Sequence, residues 1–222
     1  LDAKVGHYVK ILLDEVFGEN NFKNHIVWCY FGFKRKTTKK FPQKHDDIFF
    51  YVKEDEDYIW NLQTRPHSQE YIDRFKTDKN GRKYRDDVNP TGGGSRIIYL
   101  DESGGDIIES YWNDIPPVNP VANERQDYAT QKPEALLNRI ISASSNEGMT
   151  IVDFFGGSGV TAKVAHDLGR KFIHVDIGLN SIQTTRDRLL QAKASFQVLE
   201  IKDGVRRFRH PQQTMDKLAK LI

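Results

Sequence analysis

The sequence predicts an α/β fold: a parallel sheet with helices on both faces, carrying a loop-rich insert. Two observations predict it. Residues 150–201 alternate strand and helix patterns: TIVDFF, a helix to about residue 168, KFIHVDI, a helix over 181–194, and FQVLEI. Strands linked by helical crossovers run parallel, because each crossover returns the chain to the same end of the sheet. The second observation is the glycine turn at residues 156–159, which joins the first of these strands directly to its helix.

Taken in order, the elements follow from local patterns. Val5, Tyr8, Val9, Leu12, Leu13 and Val16 recur at three- and four-residue spacing, so residues 3–17 form an amphipathic helix with its apolar face inward, ended by Gly18. HIVWCYF (25–31) and DIFFYV (47–52) are dense in β-branched and aromatic residues and predict buried strands. Residues 54–119 differ in character, with turn formers in NGRKYRDD, NPTGGG and ESGG and one short strand at 96–100. The three prolines of DIPPVNP (114–120) close that segment in extended form. A helix over 133–145 then opens with Pro133 in its first turn. Gly169 caps the helix that follows the glycine turn. The expected division is 1–53, an insert at 54–119, and 120–222.

Composition narrows the function classes. At 222 residues with 38% hydrophobic and 29% charged content, the chain can bury a core and is not of disordered type. No apolar run approaches the roughly 18–20 residues that a bilayer span needs. No signal peptide opens the chain, so membrane and secreted classes are not expected and a cytoplasmic setting is. Cys29 is the single cysteine and cannot form an internal disulfide. The seven histidines (His7, His25, His45, His67, His166, His174 and His210) show no metal spacing and no ordered Ser/His/Asp constellation, so neither a metal nor a hydrolase site is expected. The net charge of +2 hides an uneven distribution.

The sharpest local feature is Asp153-Phe-Phe-Gly156-Gly157-Ser158-Gly159-Val-Thr161-Ala162. Glycines at a strand-to-helix junction let the chain turn tightly and let a ligand approach the backbone. The N–H groups at the helix start favour an anionic group. Asp176 ends the next strand, 23 residues after Asp153, where a carboxylate suits ribose hydroxyls. A nucleoside-bearing ligand across the strand ends is expected. Residues 157–162 formally match G-x-G-x-x-A, so NAD is the first competitor; a P-loop is excluded because no Gly-Lys-Ser/Thr follows.

Asp153-x-Phe-x-Gly-Ser-Gly, preceded by Thr130-Gln-Lys-Pro133-Glu-Ala-Leu, resembles the S-adenosylmethionine (SAM) site of the amino-group DNA methyltransferases. HIVWCYF, KHDDIFFYVK, TQKPEALLNRII, DFFGGSGVTA and GRKFIHVDI stand in the order of the permuted class, whose target-recognition region precedes the cofactor half. LDEVFGENNF and RIIYLDE also resemble the adenine-specific modification subunits of type III restriction systems. The resemblance implies a Rossmann-like class I methyltransferase sheet, SAM as cofactor, and methylation of an exocyclic base amine, adenine N6 first. Thr130, Lys132 and Pro133 would line the methionine end of SAM, with Lys132 facing its carboxylate. Asp153, Phe155, Gly157, Ser158, Gly159 and Thr161 would form the cofactor turn, Asp176 would hold the ribose, and Ile177 would flank the adenine. Double-stranded DNA is the implied partner, with a restriction subunit or a second methyltransferase copy as further partners.

That family also needs an Asp/Asn/Ser-Pro-Pro-Tyr/Phe motif, which binds the target amine and stacks on the flipped base. It is absent here. Asp114-Ile-Pro-Pro117-Val has an extra residue after Asp, a valine in place of the ring, and the wrong position in the order. In the family the motif lies just upstream of the segment resembling residues 1–17. The chain, which starts at Leu1 and has only Met149 and Met215, is therefore expected to be a fragment whose sheet is incomplete at its N-terminal side. Such a chain should bind SAM weakly or not at all and should not methylate DNA unaided. A non-catalytic DNA-binding remnant and an NAD-dependent oxidoreductase are the alternatives.

For DNA contact, the candidates are Lys34, Arg35, Lys36, Lys39, Lys40 and Lys44, six positive charges within eleven positions and interleaved with Phe33 and Phe41. Arg82, Lys83 and Arg85 form a smaller basic cluster in the insert, which is the expected sequence reader.

Overall fold

A computed structural model of the chain describes residues 1, 3–31, 39–88, 92, 94–119, 121–126 and 128–201. Its elements are α1 (Ala3–Phe17), β1 (Phe22–Cys29), β2 (His45–Tyr51), β3 (Thr64–Arg65), α2 (Gln69–Ile72), β4 (Lys76–Thr77), β5 (Lys83–Val88), β6 (Ser95–Tyr99), β7 (Asp106–Ile107), β8 (Tyr111–Trp112), α3 (Glu134–Ser144), β9 (Thr150–Asp153), α4 (Val160–Asp167), β10 (Lys171–His174) and α5 (Leu179–Gln191). The α/β class predicted from the sequence is the class observed.

The dense apolar runs become β1 and β2 of the first sheet, ordered β2–β1–β8 with β1 in the middle. β1 pairs antiparallel with β2, Ile26 opposite Ile48, and parallel with β8, Trp28 opposite Trp112. Ile26, Trp28, Trp112, Ile115 and Leu136 form one buried cluster. Both indoles find carbonyl acceptors: Trp28 Nε1 donates to Ile115 O at 2.9 Å and Trp112 Nε1 to Glu109 O at 2.8 Å. A buried indole N–H without a partner would carry a desolvation penalty.

β9 and β10 pair in parallel, Ile151 opposite Phe172 and Asp153 opposite His174. Their inward residues Ile151 and Phe172 pack on Ile141, Val160, Val164 and Ala165 from α3 and α4. Leu137 of α3 packs against this cluster and against the β1 cluster, so one helix serves both layers. Asn61, from the segment after β2, closes the C-terminal end of α3. Its amide donates to Ser142 O at 2.8 Å and Ser145 O at 3.0 Å, satisfying carbonyls that a helix end leaves unpaired.

Four local expectations are corrected. α1 spans the predicted residues, but Val5, Tyr8, Leu12 and Val16 are exposed. The helix lies on β2 through Gly6, Lys10 and Asp14 instead: Lys10 Nζ binds Asp14 at 2.7 Å and sits 4.2 Å from the Phe22 ring centroid, and Tyr51 Oη donates to Asp14 at 2.7 Å. FQVLEI (196–201) forms no strand. Val198, Leu199 and Ile201 are exposed, so among the described residues the run finds neither a sheet edge nor a core to bury it. The expected insert is loop-rich but holds more than the one short strand expected, with a β4–β5–β6 meander and a β3–β7 pair. Its last strand, β8, belongs to the β1 sheet. Finally, Pro133 is the residue before α3 (φ −68°, ψ 144°) rather than its first helical residue.

Candidate functional site

β9 delivers Asp153 to the mouth of the glycine turn. Its Oδ1 accepts the Phe155 amide at 3.0 Å, and its Oδ2 accepts the Thr161 hydroxyl at 2.7 Å. One carboxylate thus braces both limbs of the turn. Gly157 (φ +54°) and Gly159 (φ +73°) adopt left-handed backbone, which a Cβ disfavours. Space excludes a side chain as well: a Cβ on Gly159 would stand 2.5 Å from Thr185 Oγ1, and one on Gly156 would overlap the His174 ring.

β10 delivers Asp176 beside the same turn. Its Oδ2 accepts the Gly157 amide at 2.9 Å and its Oδ1 accepts the Gly178 amide at 2.7 Å. Burial pushes this carboxyl upward, but the Gly178 and Gly157 amides, Ser181 and His174 outweigh it and hold it below the usual carboxylate range. It is therefore an anion with lone pairs left for further donors. Phe155, two residues beyond β9, and Ile177, the residue after Asp176, have 92% and 93% of their surface exposed. Two large apolar side chains so bare, at adjacent strand ends, offer walls for a planar group.

His174 lies beneath the turn. Ser181 Oγ donates to Gly157 O at 2.5 Å, so the 3.3 Å contact between Ser181 Oγ and His174 Nε2 assigns the ring proton to Nε2. His174 Nδ1 is then a bare, buried nitrogen without a partner among the described residues. Burial depresses the imidazole below its usual value, opposed by the nearby Asp153 and Asp176 charges.

The residues expected at the far side of the site are placed as follows. Thr130 is exposed, Pro133 is buried, and Ser158 is buried under the turn. Lys132 Nζ bonds Asp46 Oδ2 at 2.5 Å and sits 5.4 Å from the Trp28 ring centroid. The Tyr128 ring, which the sequence reading missed, lies against Gly157: a Cβ there would be 3.2 Å from its Cε1.

Arg188 of α5 was also missed. It is 3% exposed; burial depresses its pKa, opposed by Glu134 and Glu124. Its Nε donates to Ser158 O at 3.0 Å, one terminal nitrogen to Glu134 Oε1 at 3.2 Å, and the other to Glu124 O at 3.3 Å. The signal was present as the buried stripe Ser181, Thr185, Arg188 and Leu189, but three of its four members are polar.

Among the DNA candidates, Lys34, Arg35 and Lys36 lie outside the described residues. Lys39 and Lys40 are exposed and Lys44 is half-buried. Arg82 grips Asp101 through two nitrogens at 2.9 and 2.8 Å, reaches Glu102 at 2.7 Å, and lies over the Tyr99 ring. Its charge is thus committed within the chain. Arg85 pairs with Asp87 at 3.3 Å and faces Tyr71 and Phe75.

Two readings of other polar residues need restating. The expectation of no ordered Ser/His/Asp constellation is corrected: His67 Nδ1 meets Asp106 at 2.6 Å and its Nε2 meets Ser103 Oγ at 2.5 Å. Ser103 Oγ also donates to Leu100 O at 3.0 Å, which makes the trio a clasp between β3 and the 100–106 turn. Asp114 is bound bidentately by Arg139 at 2.9 and 2.6 Å, and Ile115 is core, so the DIPP sequence serves packing. Among the described residues, no group of three or more His, Cys, Asp or Glu could hold a metal, and no helix is long and apolar enough to cross a membrane.

The family model for N6/N4 enzymes, described as DNA methylase, matches residues 2–187. The chain belongs to the DNA methylase family. Among curated members it is 31% identical over 172 residues to the DNA adenine methyltransferase YhdJ of Escherichia coli, covering 75% of this chain and 52% of that protein. It is 30% identical over 182 residues to the type II methyltransferase M.HpaI of Haemophilus parainfluenzae, covering 82% and 49% respectively. The chain thus spans about half the length of these relatives. Of solved structures, it resembles M1.HpyAVI in complex with SAM (TM-score 0.55, 22% identity, 85% of this chain and 71% of that one). It also resembles the cytosine-N4-specific PvuII DNA methyltransferase (TM-score 0.52, 13% identity, 90% and 60%). These likenesses establish the class I methyltransferase fold for this DNA methylase.

Proposed function

We propose that this chain carries the SAM-binding and DNA-contacting portions of a DNA amino-methyltransferase that acts on adenine N6 within a restriction-modification system. The observation that carries the proposal is the juxtaposition at the strand ends: exposed Phe155 and Ile177 beside Asp176, an anion tied to the glycine turn. Apolar walls suit an adenine ring, and the spare lone pairs of Asp176 suit ribose hydroxyls. Lys132, set before α3, suits the methionine carboxylate, in exchange for Asp46. The adenine assignment is supported by the likeness to the DNA adenine methyltransferase YhdJ, and the restriction-modification setting by the likeness to the type II methyltransferase M.HpaI.

SAM supplies an electrophilic sulfonium methyl group. The work left to the chain is orientation and charge placement. The turn amides and Asp176 would fix the nucleoside, Phe155 and Ile177 would shield it, and the basic 34–44 segment would anchor the DNA phosphates. The 222 residues contain no Asp/Asn/Ser-Pro-Pro-Tyr/Phe sequence, so the proposal assigns this chain binding rather than unaided methyl transfer.

A nuclear magnetic resonance titration tests the site. With S-adenosylhomocysteine, the Gly157, Gly159 and Gly178 amides should shift saturably, in the millimolar range; NAD should leave them in place. No shift with S-adenosylhomocysteine up to its solubility, or an equal response to NAD, would overturn the reading.

A further inference from the structure

We infer that Arg188 is a positioning residue. It sets the distance between the glycine turn and the segment bearing Thr130, Lys132 and Pro133, and so decides whether a ligand's amino-acid end is recognised together with its nucleoside. The inference rests on the SAM reading above.

The geometry is that of a three-way clamp. Arg188 reaches the turn at Ser158 O, the start of α3 at Glu134, and the approach to α3 at Glu124 O. The two glutamates are each held a second time. Glu134 Oε2 receives Lys163 Nζ at 2.6 Å, and the Glu134 amide donates to Glu124 Oε2 at 2.8 Å. The Gln131 amide group donates to Glu124 O at 2.7 Å, and its oxygen accepts the Gln126 amide at 2.8 Å. The stretch from Glu124 to Glu134, with the candidate ligand residues near its end, therefore has a buried fixed point on the turn.

A guanidinium suits this task because its planar fork donates in several fixed directions at once, whereas an ammonium is a point charge. Arg188 donates to three acceptors from three chain segments, and only an arginine can span them. Simple stabilisation of α5 would not require one donor directed at the turn and another at the opposite side of the same site.

The test compares two ligands on the full chain. S-adenosylhomocysteine has both the nucleoside and the amino-acid end; 5′-methylthioadenosine has only the nucleoside. The wild-type chain should bind the first more tightly. In Arg188→Met that preference should fall at least fivefold, with methylthioadenosine affinity changed less than twofold. Equal loss for both ligands, or an unchanged preference in a folded variant, would overturn the inference. If Arg188→Met does not fold by circular dichroism, Arg188→Lys decides by the same ratio. Failure of both to fold would make Arg188 a stability residue and likewise overturn it. A wild-type chain that binds neither ligand would instead overturn the SAM reading itself, a distinct outcome.

Discussion

The Thr161 hydroxyl donates to the Asp153 carboxylate at 2.7 Å, joining the first turn of α4 to the end of β9 across the glycines. A hydrogen bond to a charged acceptor contributes more than a neutral one. Thr161→Val keeps the shape and removes the donor, so it should cost about 1–2 kcal/mol. Thr161→Ser should recover most of the loss. Urea denaturation of the three chains measures both effects.

Stability should fall as pH drops below the ordinary histidine range. Burial depresses His174 below the ordinary histidine value of 6.5, so the unfolded chain takes up its proton first. The contribution of neutral His174 is full above pH 6.5 and is lost as pH falls toward its folded value. Asp176, depressed from 3.8, adds a second loss at more acidic pH. His174→Asn should flatten the first limb and leave the second. Thermal melts from pH 7 down through the acid range below pH 3.8 read both; an unchanged first limb would contradict the placement of His174 under the turn.

Salt dependence separates the two basic clusters. Each phosphate contact contributes about 0.9 to the slope of log K against log salt. Charge reversal at Lys36 and Lys39 should weaken duplex binding and flatten that slope by about one to two contacts' worth. Arg82→Ala should leave the slope unchanged, because Asp101 and Glu102 already occupy its guanidinium. Fluorescence anisotropy with a labelled duplex at several salt concentrations checks all three.

Transfer of a tritiated methyl group from SAM to DNA should not be detectable with the 222-residue chain alone, since it contains no Asp/Asn/Ser-Pro-Pro-Tyr/Phe sequence. Robust turnover would show that other residues can orient the target amine. Asp114→Asn should lower stability through the lost Arg139 pair and have no effect on S-adenosylhomocysteine binding.

The glycine turn of the candidate site was legible because its signals are local. Strand, glycine turn, helix, strand and acid follow one another within 27 residues, and each has a short-range signature in φ or periodicity. What was not legible depends on partners distant in sequence. The apolar stripe of α1 predicted burial, yet Lys10, Asp14 and Tyr51 form a polar seam with β2 that turns the helix the other way. FQVLEI has strand composition but no neighbouring edge among the described residues, and a lone strand leaves its backbone groups unpaired. Arg188, Glu134 and Glu124 are ordinary surface types whose burial appears only once three segments meet. The Ser103–His67–Asp106 clasp spans nearly 40 residues, so no spacing rule could reveal it.

The most direct test of the central claim is a set of nuclear Overhauser contacts from the adenine protons of S-adenosylhomocysteine to the chain, observable even for weak binding. The account predicts contacts to the Ile177 methyls and the Phe155 ring, all lost in Asp176→Ala. Saturable binding with contacts to other residues, or adenine contacts that survive Asp176→Ala unchanged, would contradict it.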